Sequence, residues 1–143
     1  MTIEDIDRVA QIEAQCFSMP WSRDAFASEM KNERAHYLVV QQDNRVVGFI
    51  GMHKILDEGY ITNVAVNEQY RGRGIGAALI NALLQRAGDL SLVTLEVRKS
   101  NHVAIALYEK MGFSVRGTRK DFYQSPIEDG LIMTFWREQD ANL

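Results

Sequence analysis

At 143 residues the chain has the length of one ordinary domain, enough to bury a substantial core without disulfides or a structural metal. Its hydrophobic share of 46% and charged share of 24% are ordinary for a globular protein, and a net charge of −3 argues against nucleic acid as an electrostatic partner. A single cysteine excludes an internal disulfide and points to a reducing compartment. No apolar run approaches a membrane span, and Met1-Thr2-Ile3-Glu4-Asp5 lacks the regions of a signal peptide, so a cytoplasmic protein with no membrane partner is expected.

Thr2, followed three residues later by Asp5, forms a variant capping box that opens a helix through Cys16. Ile6, Val9, Ala10, Glu13 and Phe17 keep helical spacing, apolar apart from Glu13. Cys16, on this apolar stretch and without a histidine nearby in sequence, reads as a buried residue rather than a nucleophile. Pro20-Trp21-Ser22 ends the helix, and Ser22 caps a second one that turns Ala25, Phe26 and Met30 inward. Tyr37-Leu38-Val39-Val40 and Val46 to Ile50 flank Gln42-Asp43-Asn44-Arg45 as a hairpin, and another strand runs from Tyr60 to Val66. A helix then carries Ile75, Leu79, Ile80, Leu83 and Ala87 on one face, with Gly88 just past its end. Leu92 to Val97 forms a strand, a helix spans His102 to Met111, and strands at 113–115 and 131–136 complete the chain. This order predicts an α/β fold on a mixed sheet, an antiparallel meander followed by a helical crossover, over one domain at 1–143.

Arg71-Gly72-Arg73-Gly74-Ile75-Gly76 stands at the head of the third helix. Glycines at alternate positions leave backbone N–H groups open where the helix dipole is positive, which makes an anion site, most simply for phosphate. Arg71 and Arg73 add charge beside it. A P-loop is excluded, because no Gly-Lys-Ser/Thr follows. Gly72-x-Gly74-x-x-Ala77 formally satisfies a dinucleotide fingerprint, with Glu96 about twenty residues on. Against that reading, Asn67 to Arg71 intervene between strand end and first glycine, and Glu96 sits inside its strand rather than at the tip.

Val64-Ala65-Val66-x4-Arg71-Gly72-Arg73-Gly74-Ile75-Gly76 resembles the acetyl-CoA signature of the GNAT N-acetyltransferases, Q/R-x-x-G-x-G/A, and Asn101-x6-Tyr108-x3-Gly112-Phe113 resembles their second hallmark. Pro20-Trp21-Ser22 with Phe26, Ile61 to Val66, Leu95-Glu96-Val97-Arg98-x-Ser100-Asn101, and Tyr123 before Glu128-Asp129 look like the RimI-type ribosomal-protein-alanine N-acetyltransferases within that family. Lys120-Asp121-Phe122-Tyr123 departs from that subgroup's Arg/Lys-Asn/Gly-Tyr-Tyr run.

The resemblance implies a GNAT fold, a mostly antiparallel sheet with a splayed pair of parallel strands and flanking helices. It implies acetyl-CoA as cosubstrate with no metal. It also implies transfer in a ternary complex to a protein N-terminal α-amine, most specifically the N-terminal alanine of a small-subunit ribosomal protein. Binding of acetyl-CoA falls to the backbone of Val64, Ala65 and Val66, to Arg71 through Ala77, and to Asn101 and Tyr108. Glu96, a carboxylate inside an apolar strand, becomes the base, and Tyr108 the acid for the departing thiolate. From the residues alone, Glu96 paired with Arg98 and Tyr108 as a packing residue stay open, as do a small-amine, antibiotic or lysine acetyltransferase and a non-catalytic acyl-CoA or dinucleotide module. His36, His53 and His102 have no metal-ligand spacing. Asp57, Glu58, Glu128 and Asp129 are candidates for an acidic mouth facing a basic peptide.

Overall fold

The elements follow the predicted order: α1 (Ile6–Cys16), α2 (Arg23–Glu29), β1 (Ala35–Gln42), β2 (Arg45–Ile55), β3 (Glu58–Val66), α3 (Ile75–Ala87), β4 (Leu92–Arg98), α4 (His102–Lys110), β5 (Ser114–Tyr123) and β6 (Glu128–Trp136). The computed structural model describes residues 1–137. Local chemistry accounts for several boundaries. The Thr2 amide donates to the Asp5 carboxylate at 2.8 Å, and a short 3-10 turn over Ile3–Asp5 leads into α1. Ser22 Oγ accepts from the Ala25 amide at 3.1 Å and starts α2. Asp43 and Asn44 have φ of 53° and 62°, the two left-handed residues that a tight hairpin between twisted strands demands.

The six strands lie in the order β1-β2-β3-β4-β6-β5, all antiparallel except β3 against β4. One face buries Ile6, Val9 and Ile12 of α1 and Phe26 of α2 against Val46, Phe49 and Ala65. The other buries Ile75, Leu79, Ile80 and Leu83 of α3 and Tyr108 of α4 against Ile50, Leu95, Val97 and Met133. Leu95 and Val97 therefore face α3 and α4, and the intervening Glu96 faces the opposite side, toward α1.

The parallel seam positions the site. β3 and β4 pair only at Glu58 with Leu92, Gly59 with Val93, and Tyr60 with Thr94. Immediately beyond, β3 carries an extra residue: Met52 lies opposite Ile61 and Gly51 opposite Asn63, which leaves Thr62 as a bulge. The bulge bends β3 away from β4, and the seam opens into a V toward the carboxyl ends. It also resets the alternation of side chains, so that Ile61 and Val64 both join the core under α3 while Ala65 packs beneath α1.

The last two strands run well beyond the short segments expected at 113–115 and 131–136. β5 is an edge strand of mostly exposed polar residues with two register shifts against β6. An edge facing solvent needs no apolar alternation, so its length left no hydrophobic trace.

Candidate active site

The V holds a cleft of about 680 Å³. Val64 of β3, Glu96 of β4 and Tyr108 of α4 line it, with the α1–α2 connection at Phe17 to Trp21 on one side and the β5–β6 connection at Phe122 to Pro126 on another.

Glu96 keeps only 4% of its side-chain surface exposed. One carboxylate oxygen accepts from the Tyr60 hydroxyl, and the other accepts from Arg119 Nε of β5 at 2.5 Å. Burial, together with its bond to Glu96, pushes the Tyr60 phenol up, so Tyr60 stays a proton-bearing donor. The ion partner of Glu96 is Arg119 and not, as sequence proximity suggested, Arg98, which pairs with Glu128 at 3.2 Å. Arg98 and Arg119 both lie opposite Gly130 of β6, one from each side. Two charges on one strand face each find a nearer partner on the next strands. A carboxylate has about four lone-pair directions, so with both oxygens engaged Glu96 can still accept a proton.

Tyr108 is 8% exposed, its ring packed on Phe113 with centroids 6.0 Å apart. Burial pushes its phenol up to about 12. Tyr123 lies close enough to both that, after burial, the charges of Glu96 and of Tyr108 also raise its phenol. Base and acid candidates thus border one space.

The opposite limb of the V is the open edge of β3. The Asn67 amide donates to Val47 O across to β2, so the backbone groups of alternate residues Ala65 and Asn67 face β2. Those of Val64 and Val66 face the cleft side. Ala65 departs from the expected role: its side chain is buried beneath α1 and its backbone pairs toward Phe49. The carbonyl of Val66 accepts from Arg71 Nε at 3.2 Å.

α3 begins at Gly74, which supplies no side-chain cap, and the Ala78 amide is the first bonded within the helix, to Gly74 O at 3.0 Å. The amides of Ile75, Gly76 and Ala77 are therefore the orphan donors that suit an anion. Gly72 and Gly74 have φ of 78° and 79° with open space around them, so backbone conformation and not crowding requires glycine there. Gly76 serves a different end. An added Cβ would lie 3.1 Å from Leu107 Cδ2, so this glycine lets α3 and α4 approach. The arginines are also differently placed than expected: Arg71 turns back to Val66 O and to Cys16 Sγ at 3.1 Å, and Arg73 stacks 4.9 Å over Tyr70. Asn101 caps α4 through the Ala104 amide at 3.2 Å and also lines the cleft.

Cys16 is half-buried and borders the cleft rather than sitting in the core. The four acids do not meet. Asp57 and Glu58 lie at the entry to β3, while Glu128 and Asp129 precede Gly130, which pairs with Arg98 at the far end of β4. Hydrogen bonds from Ser100 and the Arg98 guanidinium hold the Glu128 carboxyl below the usual range, and Asp129 accepts from the Asp121 amide at 2.9 Å. Among the histidines, His53 bonds Glu29 at 2.5 Å. Glu13, the one acidic residue on the apolar face of α1, is buried. It accepts from the Trp21 amide at 3.1 Å and from Asn63 Nδ2 at 3.2 Å, tying the end of the α1–α2 connection to β3.

A family model described as the acetyltransferase (GNAT) family matches residues 6–113. The chain belongs to the GNAT acetyltransferases. The Escherichia coli K12 protein named [ribosomal protein bS18]-alanine N-acetyltransferase is 36% identical, over 90% of this chain and 89% of its own. A Bacillus subtilis protein provisionally given the same name is 41% identical over 93% and 90%. The crystal structure of the E. coli ribosomal-protein-S18-alanine N-acetyltransferase superposes with a TM-score of 0.90 at 32% identity, covering 100% of this chain and 95% of that one. As a GNAT enzyme the chain takes acetyl-CoA as donor and transfers its acetyl group to an amine. The orphan amides at Ile75 to Ala77 and the edge of β3 at Val64 and Val66, unpaired with any strand, fit the pyrophosphate and the amide-bearing arm of that donor, although the Val66 carbonyl already accepts from Arg71.

One consequence concerns Gly74. Forcing a Cβ into its left-handed conformation costs about 1–2 kcal/mol. Gly74→Ala should therefore weaken acetyl-CoA binding by roughly five- to thirtyfold, measured calorimetrically, while acceptor KM stays within about twofold. An unchanged donor Kd would remove the turn from the binding site.

Proposed function

We propose that this GNAT enzyme acetylates the α-amino group of a protein N-terminus, most specifically the N-terminal alanine of a small-subunit ribosomal protein, by direct transfer in a ternary complex. The observation that carries the reading is the convergence of the buried Glu96 carboxylate and the proton-bearing Tyr108 on one cleft. The names of the relatives support the acceptor, and one domain over 1–143 carries the activity.

An α-amine has a pKa of about 7.7–8.0, so near neutral pH most of it must lose a proton before it can attack. Glu96 takes that proton, directly or through a water. The amine nitrogen then forms its bond to the thioester carbon, whose oxygen is received by the amides of Val64 and Val66. The carbon–sulfur bond breaks as Tyr108 gives its proton to the thiolate, and the second proton, shed by the acylated nitrogen, restores the Tyr108 phenol. Tyr60 and Arg119 hold the Glu96 carboxylate in place throughout. Asn101, at the mouth of α4, supports the donor arm.

Mass spectrometry of peptides that differ only at the N-terminal residue, incubated with the protein and acetyl-CoA, tests the reading. Acetylation of the α-amine, strongest for alanine, is expected. Acetylation at lysine side chains alone would sink it.

A further inference from the structure

We infer that Arg98 is a positioning residue that sets the acceptor entrance, joining the α1–α2 connection to the β5–β6 connection above the face that carries Glu96. This rests on the peptide-acceptor reading and adds the part that shapes the entrance. Arg98 Nη2 donates to Ser18 Oγ at 3.2 Å and to Gln124 O at 2.7 Å. Its Nη1 donates to Pro126 O at 2.9 Å and to Glu128 Oε1 at 3.2 Å. The guanidinium also lies 4.7 Å over the Tyr123 ring. Three acceptors on two connections, and a fourth on the first residue of β6, are thus served by one planar group, which a single ammonium could not span.

The position of Arg98 makes this more than local bracing. Glu96 and Arg98 are alternate residues of β4, so both face the same side, about 7 Å apart along the strand. The strand that presents the base also fixes the rim above it. The α1–α2 connection is held separately at its far end, where Glu13 takes the Trp21 amide. Its exposed middle, with Phe17 and Met19 on the surface, has the Arg98–Ser18 bond as its side-chain tie among the described residues. Releasing that bond frees one wall of the entrance while leaving Glu96, Tyr108 and the donor edge untouched.

Steady-state kinetics with an N-terminal alanine peptide and acetyl-CoA tests the inference. Arg98→Met should raise peptide KM by roughly tenfold or more, because it removes several charge-assisted bonds. Acetyl-CoA KM and kcat at saturating peptide should stay within about threefold of wild type. Ser18→Ala, which leaves Arg98 and its carbonyl partners in place, should raise peptide KM by about two- to fivefold, and Ser18→Thr should restore it. If Arg98→Met does not fold, the Ser18 pair decides. Peptide KM unchanged in Ser18→Ala, or a fall in kcat with KM unchanged, overturns the inference although wild type acetylates the peptide. A wild type that leaves the α-amine unmodified overturns the acceptor reading and this inference together.

Discussion

Glu96→Gln should lower kcat/KM for an N-terminal alanine peptide by roughly 10²- to 10⁴-fold, the usual contribution of a positioned general base. The substitution keeps the shape of the side chain and an oxygen for the Tyr60 hydroxyl, and it removes the negative charge opposite Arg119. What is lost is the capacity to take a proton from an amine that is mostly protonated near neutral pH. Glu96 lies on the face of β4 away from α3, whose first amides we propose as the donor's pyrophosphate site, so acetyl-CoA affinity should change by less than about twofold. Stopped-flow single turnover separates the two quantities. A variant with full activity would remove Glu96 from proton transfer, and one with weakened donor binding would show that its role is architectural.

The second large effect is expected at Tyr108. Tyr108→Phe keeps the ring against Phe113 and deletes one hydroxyl, so the core should lose little while kcat falls by roughly 10²-fold or more. With the phenol pushed up to about 12 by burial, the wild-type acid keeps its proton across the working range. The sign of the pH dependence follows. Activity should rise as the acceptor amine deprotonates through about pH 8 and then hold level to roughly pH 10, because Tyr108 is still protonated there. A descending limb below pH 9 would point to a different acid, as would a Phe variant that keeps its kcat.

Much of this architecture can be read from residues, and the reasons differ by element. Asp43-Asn44 between apolar alternations states its hairpin, because few residues accept two left-handed positions in a row. The order of helices and strands follows from period alone. β5 is different: Ser114 to Tyr123 is mostly exposed and polar, and what makes it a strand is the neighbour it pairs with. The same blind spot hid Arg119. Nothing in the sequence places Arg119 beside Glu96 until β5 is laid along β6, and Arg98 looked the nearer partner for want of that information. Tyr60 had a faint signal, alternating with Ile61 on a strand expected to run beside that of Glu96. Gly76 shows the converse. It fits the phosphate motif letter for letter, yet its missing side chain answers to Leu107 on α4, which no local pattern discloses.

The seam between β3 and β4, with three paired positions and then a bulge, would give acetyl-CoA a second role in the placement we propose. A donor whose arm lies along Val64 and Val66 supplies the rungs that the seam lacks, so occupancy counts toward folding. At a hundred times its Kd a ligand adds about 2.7 kcal/mol to the stability of the state that binds it. The product retains the pyrophosphate and the arm, so it should support the seam as the donor does. The abundance of the enzyme, and not only its rate, should then track the total coenzyme pool.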